Sequence, residues 1–180
     1  MKKLTLLCAL LALCAILIVP ALAQETAEVA IELTQPVELG SYTVCIPDGF
    51  ELGEDGAYTG MLGNSMASLM FAYSQSEEGD EEIFNTAAEA EAAMLTAIAE
   101  EADSEELVVA SIVYAGECPV MLIRSVEQEG VPVAMDVLTF TVGREDLLVM
   151  VIAYGEDCAQ QVAAFTDAVL ATIVTPAYPG

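Results

Sequence analysis

Residues Leu107 to Tyr154 contain four β-type runs separated by only a few residues each: Leu107–Tyr114, Val120–Glu127, Pro132–Val142 and Asp146–Tyr154. β-branched and aromatic residues fill the runs, and turn residues break them. Gly116 and Pro119 punctuate the first break, Gly130 the second, and Val142-Gly-Arg-Glu145 fits a two-residue type II′ loop with glycine first. Loops this short cannot carry a parallel crossover, so the runs predict a four-strand antiparallel meander. Its last strand sends Leu147, Val149, Val151 and Ala153 one way and Leu148, Met150, Ile152 and Tyr154 the other. Both faces are apolar, whereas a sheet wetted on one side alternates with polar residues. Each face therefore needs a cover.

Two helical stretches can supply it. Thr86-Ala-Ala-Glu89 reads as a capping box ahead of Ala90, Met94, Leu95 and Ile98, which predicts a helix over about 86–102. Asp157-Cys-Ala-Gln160 opens a second, over about 157–174, with Val162, Phe165, Val169, Leu170 and Ile173 in one stripe before Pro176. The expected fold class is α+β: an antiparallel sheet with the meander over 107–154, covered by two amphipathic helices as an α/β/α sandwich. Neither stripe carries a cofactor signature.

Earlier strands precede the first helix. Glu28–Thr34 alternates as an edge strand broken by Pro36 and Gly40, and Tyr42–Ile46 ends at Pro47-Asp48-Gly49. Leu52–Gly56 reads as an acidic loop, and Ala57–Leu62 with Met66–Tyr73 as a hairpin around Gly63-Asn64-Ser65.

The first residues look like an address. Met1-Lys2-Lys3, an apolar run from Leu4 to Val19 and the small-x-small site Ala21-Leu22-Ala23 describe an export signal cleaved near Ala23. An uncleaved N-terminal anchor is the alternative. The organisation expected is 1–23 signal, 24–40 strand and linker, 41–174 one domain and 175–180 tail, in an extracytoplasmic protein, secreted or periplasmic.

Charge closes several options. The whole chain carries −25, and loss of Lys2 and Lys3 takes it to −27, with only Arg124 and Arg144 against 29 carboxylates and no histidine. Phosphates and anionic headgroups would be repelled, which argues against nucleic acid or an anionic membrane surface as partner. Without histidine there is no Ser-His or Cys-His nucleophile system and no imidazole ligand; without mature lysine there is no Schiff base or P-loop. The expectation is a non-enzyme without cofactor, catalytic residues or metal centre, meeting a protein partner.

An alternative is calcium-responsive behaviour through the acidic clusters at 77–82 or 100–106, since calcium takes oxygen ligands. The plainer reading of such runs is a solvated loop.

Cys45, Cys118 and Cys158 remain after processing. Cys118 and Cys158 fall at opposite ends of the meander, well beyond the roughly 5.5 Å Cα separation a disulfide needs. Cys45 reads as a small buried hydrophobe. Cys158, in the first turn of the second helix, reads as an exposed free thiol: the helix end would lower its pKa, Glu156 and Asp157 would raise it, and no base is present.

One polar pair stands inside the apolar runs, Arg124 and Asp136. The 128–131 turn decides whether they share a face, an even-sum register bringing them together. Paired, they form a part-buried ion pair with a structural role; the functional reading is a guanidinium presented to an anionic ligand.

The order of elements resembles the PsbP/DcrB-like family of small exported or lumenal domains over about residues 41–174. The likeness rests on Tyr42-Thr-Val-Cys-Ile-Pro47 with Gly49-Phe50, on Gly116-x-x-Pro119, on the hairpin from Thr139-Phe-Thr-Val142 to Ile152-Ala-Tyr154, and on the closing helix. The resemblance implies an α/β/α sandwich with a non-catalytic binding or assembly role.

Overall fold

The computed structural model describes residues 31–76, 83–102, 109–127 and 130–180. The expected signal at 1–23 lies outside these residues, as do the acidic run 77–82 and, from residue 103 onward, the second acidic cluster.

Among the described residues, nine strands and two helices follow one another: β1 (Leu33–Leu39), β2 (Tyr42–Pro47), β3 (Glu51–Leu52), β4 (Tyr58–Leu62), β5 (Ser65–Gln75), α1 (Ala87–Ala102), β6 (Val109–Ala115), β7 (Cys118–Glu127), β8 (Val133–Val142), β9 (Glu145–Tyr154) and α2 (Cys158–Thr172). The class is mixed α+β. The main sheet is larger than the four strands expected from 107–154. It has seven, in the order β3-β4-β5-β9-β8-β7-β6, and every pairing is antiparallel. The hairpin β4–β5 adds to β9 along ten residue pairs, from Met66 opposite Tyr154 to Gln75 opposite Glu145. That long register follows from the length of β5, whose ladder continues to Gln75 instead of stopping at Tyr73.

β1 and β2 form a separate two-stranded sheet. Pro36 does not break β1, contrary to expectation; it sits within the strand, opposite Cys45. An edge strand tolerates proline because one side of its backbone needs no ladder partner. The short β3 takes in only Leu52 of the expected acidic loop, its two residues opposite Thr59 and Tyr58, and residues 53–56 turn as expected.

The two faces of the main sheet bury different chemistry. On one, Val120 and Leu122 of β7, Ala134, Leu138 and Phe140 of β8, and Leu147, Val149, Val151 and Ala153 of β9 pack with Val162, Phe165 and Val169 of α2. Tyr42, Val44 and Ile46 of the β1–β2 hairpin complete that core. On the other face Met121, Ile123, Met135, Val137 and Met150 pack against Met94 and Ile98 of α1. Period-two alternation assigns these sets, and the register keeps them in rows.

α1 begins with the anticipated cap: the Glu89 amide donates to Thr86 Oγ1 at 3.3 Å. The Glu89 carboxylate reaches one residue further back, accepting from the Asn85 amide at 2.8 Å. Leu95, expected on the apolar stripe, is exposed instead. It lies one residue past Met94, about 100° around the helix. α2 starts without a side-chain cap from Asp157, again unlike the expectation, and ends at Thr172, ahead of Pro176. The chain beyond it is held in place. Val174 bridges to Thr43, the Tyr178 hydroxyl donates to the Thr141 carbonyl at 3.0 Å, and the Gly180 amide donates to the Asn85 carbonyl. Among the described residues, no helix is long and apolar enough to cross a membrane.

Candidate functional site

Arg124 on β7 and Asp136 on β8 are direct partners in the ladder, the even-sum arrangement. Both share the face that carries Val120, Leu122, Ala134 and Leu138, and α2 lies over that face. Arg124 Nε donates to Asp136 Oδ1 at 2.8 Å and Nη2 donates to Oδ2 at 2.6 Å, the bidentate fork that a planar guanidinium favours. α2 adds a third donor, Thr166 Oγ1, at 2.6 Å from Oδ2. Sequence reasoning missed Thr166, because its place depends on how α2 docks and no spacing within the chain encodes that.

The pair is asymmetric. Asp136 is fully buried, whereas the Arg124 side chain keeps 41% of its surface exposed. The hydrogen bonds that Arg124 donates to Asp136 raise the Arg124 pKa further above the ordinary guanidinium range, against a smaller opposing effect of burial; the charges of Asp136 and Asp167 add to the rise. A carboxylate with no exposed surface cannot meet a substrate from solvent, and its oxygens are engaged by Arg124 and Thr166. The arrangement therefore ties β7, β8 and α2 together. Two of the five guanidinium N–H groups go to Asp136, and an anion approaching the rest would come close to Asp136 and Asp167.

Cys158 is in the first turn of α2, but it is buried, not exposed as expected. Its side chain joins the core under α2, and burial pushes its thiol pKa up, more than the local amides lower it. Neither the helix end nor the acidic neighbours tell which side of the first turn faces the core, and that side decides the burial of Cys158. Cys118 is likewise buried and raised by burial, with Tyr178 Oη 3.7 Å from its sulfur opposing the shift. Cys45 is half-buried, its side chain on the side of β2 opposite Val44 and Ile46. All three cysteines are free, and the ladder puts Cys118 and Cys158 at opposite ends of the strands.

The methionines form a pattern that residue spacing alone did not reveal. Direct ladder partners share a face. Met61 is opposite Met66, and Met70 is opposite Met150, which neighbours Val137 on the α1 side. Met121 and Met135 lie on that same side, where Met94 of α1 packs. Among the described residues, every methionine of the main sheet is thus on one face, and Met94 of α1 packs against that face. Among the described residues, no group of three or more His, Cys, Asp or Glu is placed to hold a metal ion.

In comparisons with known proteins, the chain matches no family model, no curated protein and no solved structure.

Proposed function

We propose that the protein is an exported, non-catalytic binding or assembly module, built as an α/β/α sandwich of the PsbP/DcrB-like kind, that engages another protein outside the cytoplasm. The observation that carries the reading is the placement of charge against exposed apolar surface. The fully buried carboxylate Asp136 is consumed by a structural tie to Arg124 and Thr166. Meanwhile Met61, Met66 and Tyr154 stand exposed on a single sheet face. Clustered apolar side chains at a surface mark contact sites. With a net charge of −25 on the whole chain, the favoured partner is a protein presenting positive charge.

Chemical crosslinking of the protein on the cells that express it, followed by mass spectrometry, tests this. A reproducible protein neighbour, released as salt is raised before crosslinking, is the expected result. Recovery of the protein alone, at every crosslinker length, would remove the reading.

A further inference from the structure

The two faces of the seven-stranded sheet are covered unequally. On one, α2 and the β1–β2 hairpin together pack the core. On the other, α1 lies over β6, β7 and β8. Beside it, β9, β5 and β4 present a strip of apolar side chains. Met61 and Met66 are 55% and 64% exposed, Tyr154 is 43% exposed, and Met70, Leu148 and Ile152 are half-buried. The register sets them side by side, Met61 opposite Met66, Met70 opposite Met150, Leu148 opposite Ala72 and Ile152 opposite Ser68.

Strands lie about 4.8 Å apart, so three of them make a strip roughly as wide as one helix with its side chains, about 10–12 Å. α1 already occupies three strands in that way. Among the described residues neither helix lies over this strip, which makes a second berth of the same width on the same face.

Its chemistry selects the occupant. Methionine is unbranched and polarizable, and methionine-rich surfaces adapt to apolar stripes of differing shape, the mode used by helix-in-groove recognition. The border is acidic: Glu51 shares the face at its outer edge, and Glu156 follows Tyr154 beyond the end of β9. Of the two arginines described, Arg124 belongs to the opposite face and Arg144 to the turn before β9. A second copy would bring the same negative border against itself, and an anionic lipid surface would meet the same repulsion.

We propose that the strip formed by Met61, Met66, Met70, Leu148, Ile152 and Tyr154 docks one amphipathic helix of a partner protein, apolar along one side and flanked by lysine or arginine. This rests on the binding-module reading and gives it a surface and a ligand class.

The test titrates a labelled leucine–lysine amphipathic peptide into the full-length chain, following fluorescence anisotropy, with a leucine–glutamate peptide of the same pattern as control. The expected result is saturable 1:1 binding of the lysine peptide, weakened by added salt, and none of the glutamate peptide. Met61→Ser with Met66→Ser should weaken binding about tenfold or more, since a few central apolar side chains dominate such contacts. Leu52→Ser, an equally exposed leucine on the opposite face, should leave it unchanged. Both variants alter exposed side chains, and an unchanged melting temperature verifies their folding. Lysine-peptide binding that is indifferent to the Met61/Met66 change overturns the site while leaving the binding-module reading intact. Concentration-dependent dimerisation, or binding to phosphatidylcholine vesicles, abolished by that change in place of peptide binding assigns the strip to a second copy or to lipid and overturns the proposal. Failure of the module reading is read separately, as the absence of any crosslinked neighbour on cells.

Discussion

Asp136 accepts hydrogen bonds from Arg124 across the β7–β8 ladder and from Thr166 of α2, and of the three only Arg124 keeps access to water. That difference sets which substitution does the most damage. Arg124→Met leaves Asp136 buried with Thr166 as its remaining donor in the triad, an uncompensated charge in the core. The expected cost at neutral pH is about 3 kcal/mol. Urea midpoints of wild type and variant at pH 7 measure that cost. Equal midpoints would mean that the guanidinium does not stabilise the buried carboxylate.

Replacing both partners tests whether the tie supports stability or only arrangement. Arg124→Met with Asp136→Leu removes two charges together and lets apolar groups fill the strand face. The double variant should lie within about 1 kcal/mol of wild type, because the desolvation cost vanishes with the attraction. Thr166 can then bond its own helix backbone one turn back. Thr166→Val alone should cost about 1.5–3 kcal/mol, the range for a hydrogen bond to a charged group. It should cost far less in the Asp136→Leu background. A double-mutant cycle by chemical denaturation measures the coupling.

Much of this is legible in the sequence, and what is not has one physical cause. Alternation placed Leu147, Val149, Val151 and Ala153 on one face and Leu148, Met150 and Ile152 on the other, as the two cores require. Parity allowed Arg124 and Asp136 to meet, but only the turn after Glu127 could decide it. Statements that depended on docking between distant segments fared worse. Thr166 gains its role, and Cys158 its burial, from where α2 lies. Cys45 is only half-buried because the hairpin that holds it turns Val44 and Ile46 inward. Pro36 stays in a strand because that strand pairs only with β2. The one-sided methionines needed the pairing of β5 with β9, a contact between residues some eighty positions apart that local pattern does not encode.

The thiols should react in an order set by burial. Cys45 is half-buried, whereas Cys118 and Cys158 are buried with raised pKa values that deplete the reactive thiolate. Treatment of the native protein with a disulfide reagent at pH 8 should label Cys45 first. Cys118 and Cys158 should follow only at the rate at which the core opens. Intact mass and peptide mapping over time read the order. Early labelling of Cys158 would place it at the surface after all.

Stability should fall on the alkaline side for a reason located in two tyrosines. Burial pushes the Tyr42 hydroxyl well above the ordinary phenol range, with the charges of Cys118, Asp146 and Glu145 adding to it. Tyr178 is also raised, by burial first and then by Cys118. A group whose pKa is raised in the fold loses its proton first in the unfolded chain. Below an unfolded tyrosine pKa of about 10 both states are protonated and stability is independent of these groups. Above it the unfolded chain ionises while the fold cannot follow, so stability declines until the folded pKa is reached. Denaturant midpoints should therefore be flat with respect to the tyrosines near pH 8 and drop between about pH 10 and 11. Tyr42→Phe removes the hydrogen bond to the Glu145 carbonyl, at 3.1 Å, and should cost about 1 kcal/mol at pH 8. The same variant should lose less stability than wild type as pH rises, because one of the two groups that ionise only on unfolding is gone. If its alkaline slope matches that of wild type, the buried hydroxyl of Tyr42 is not what limits the fold at high pH.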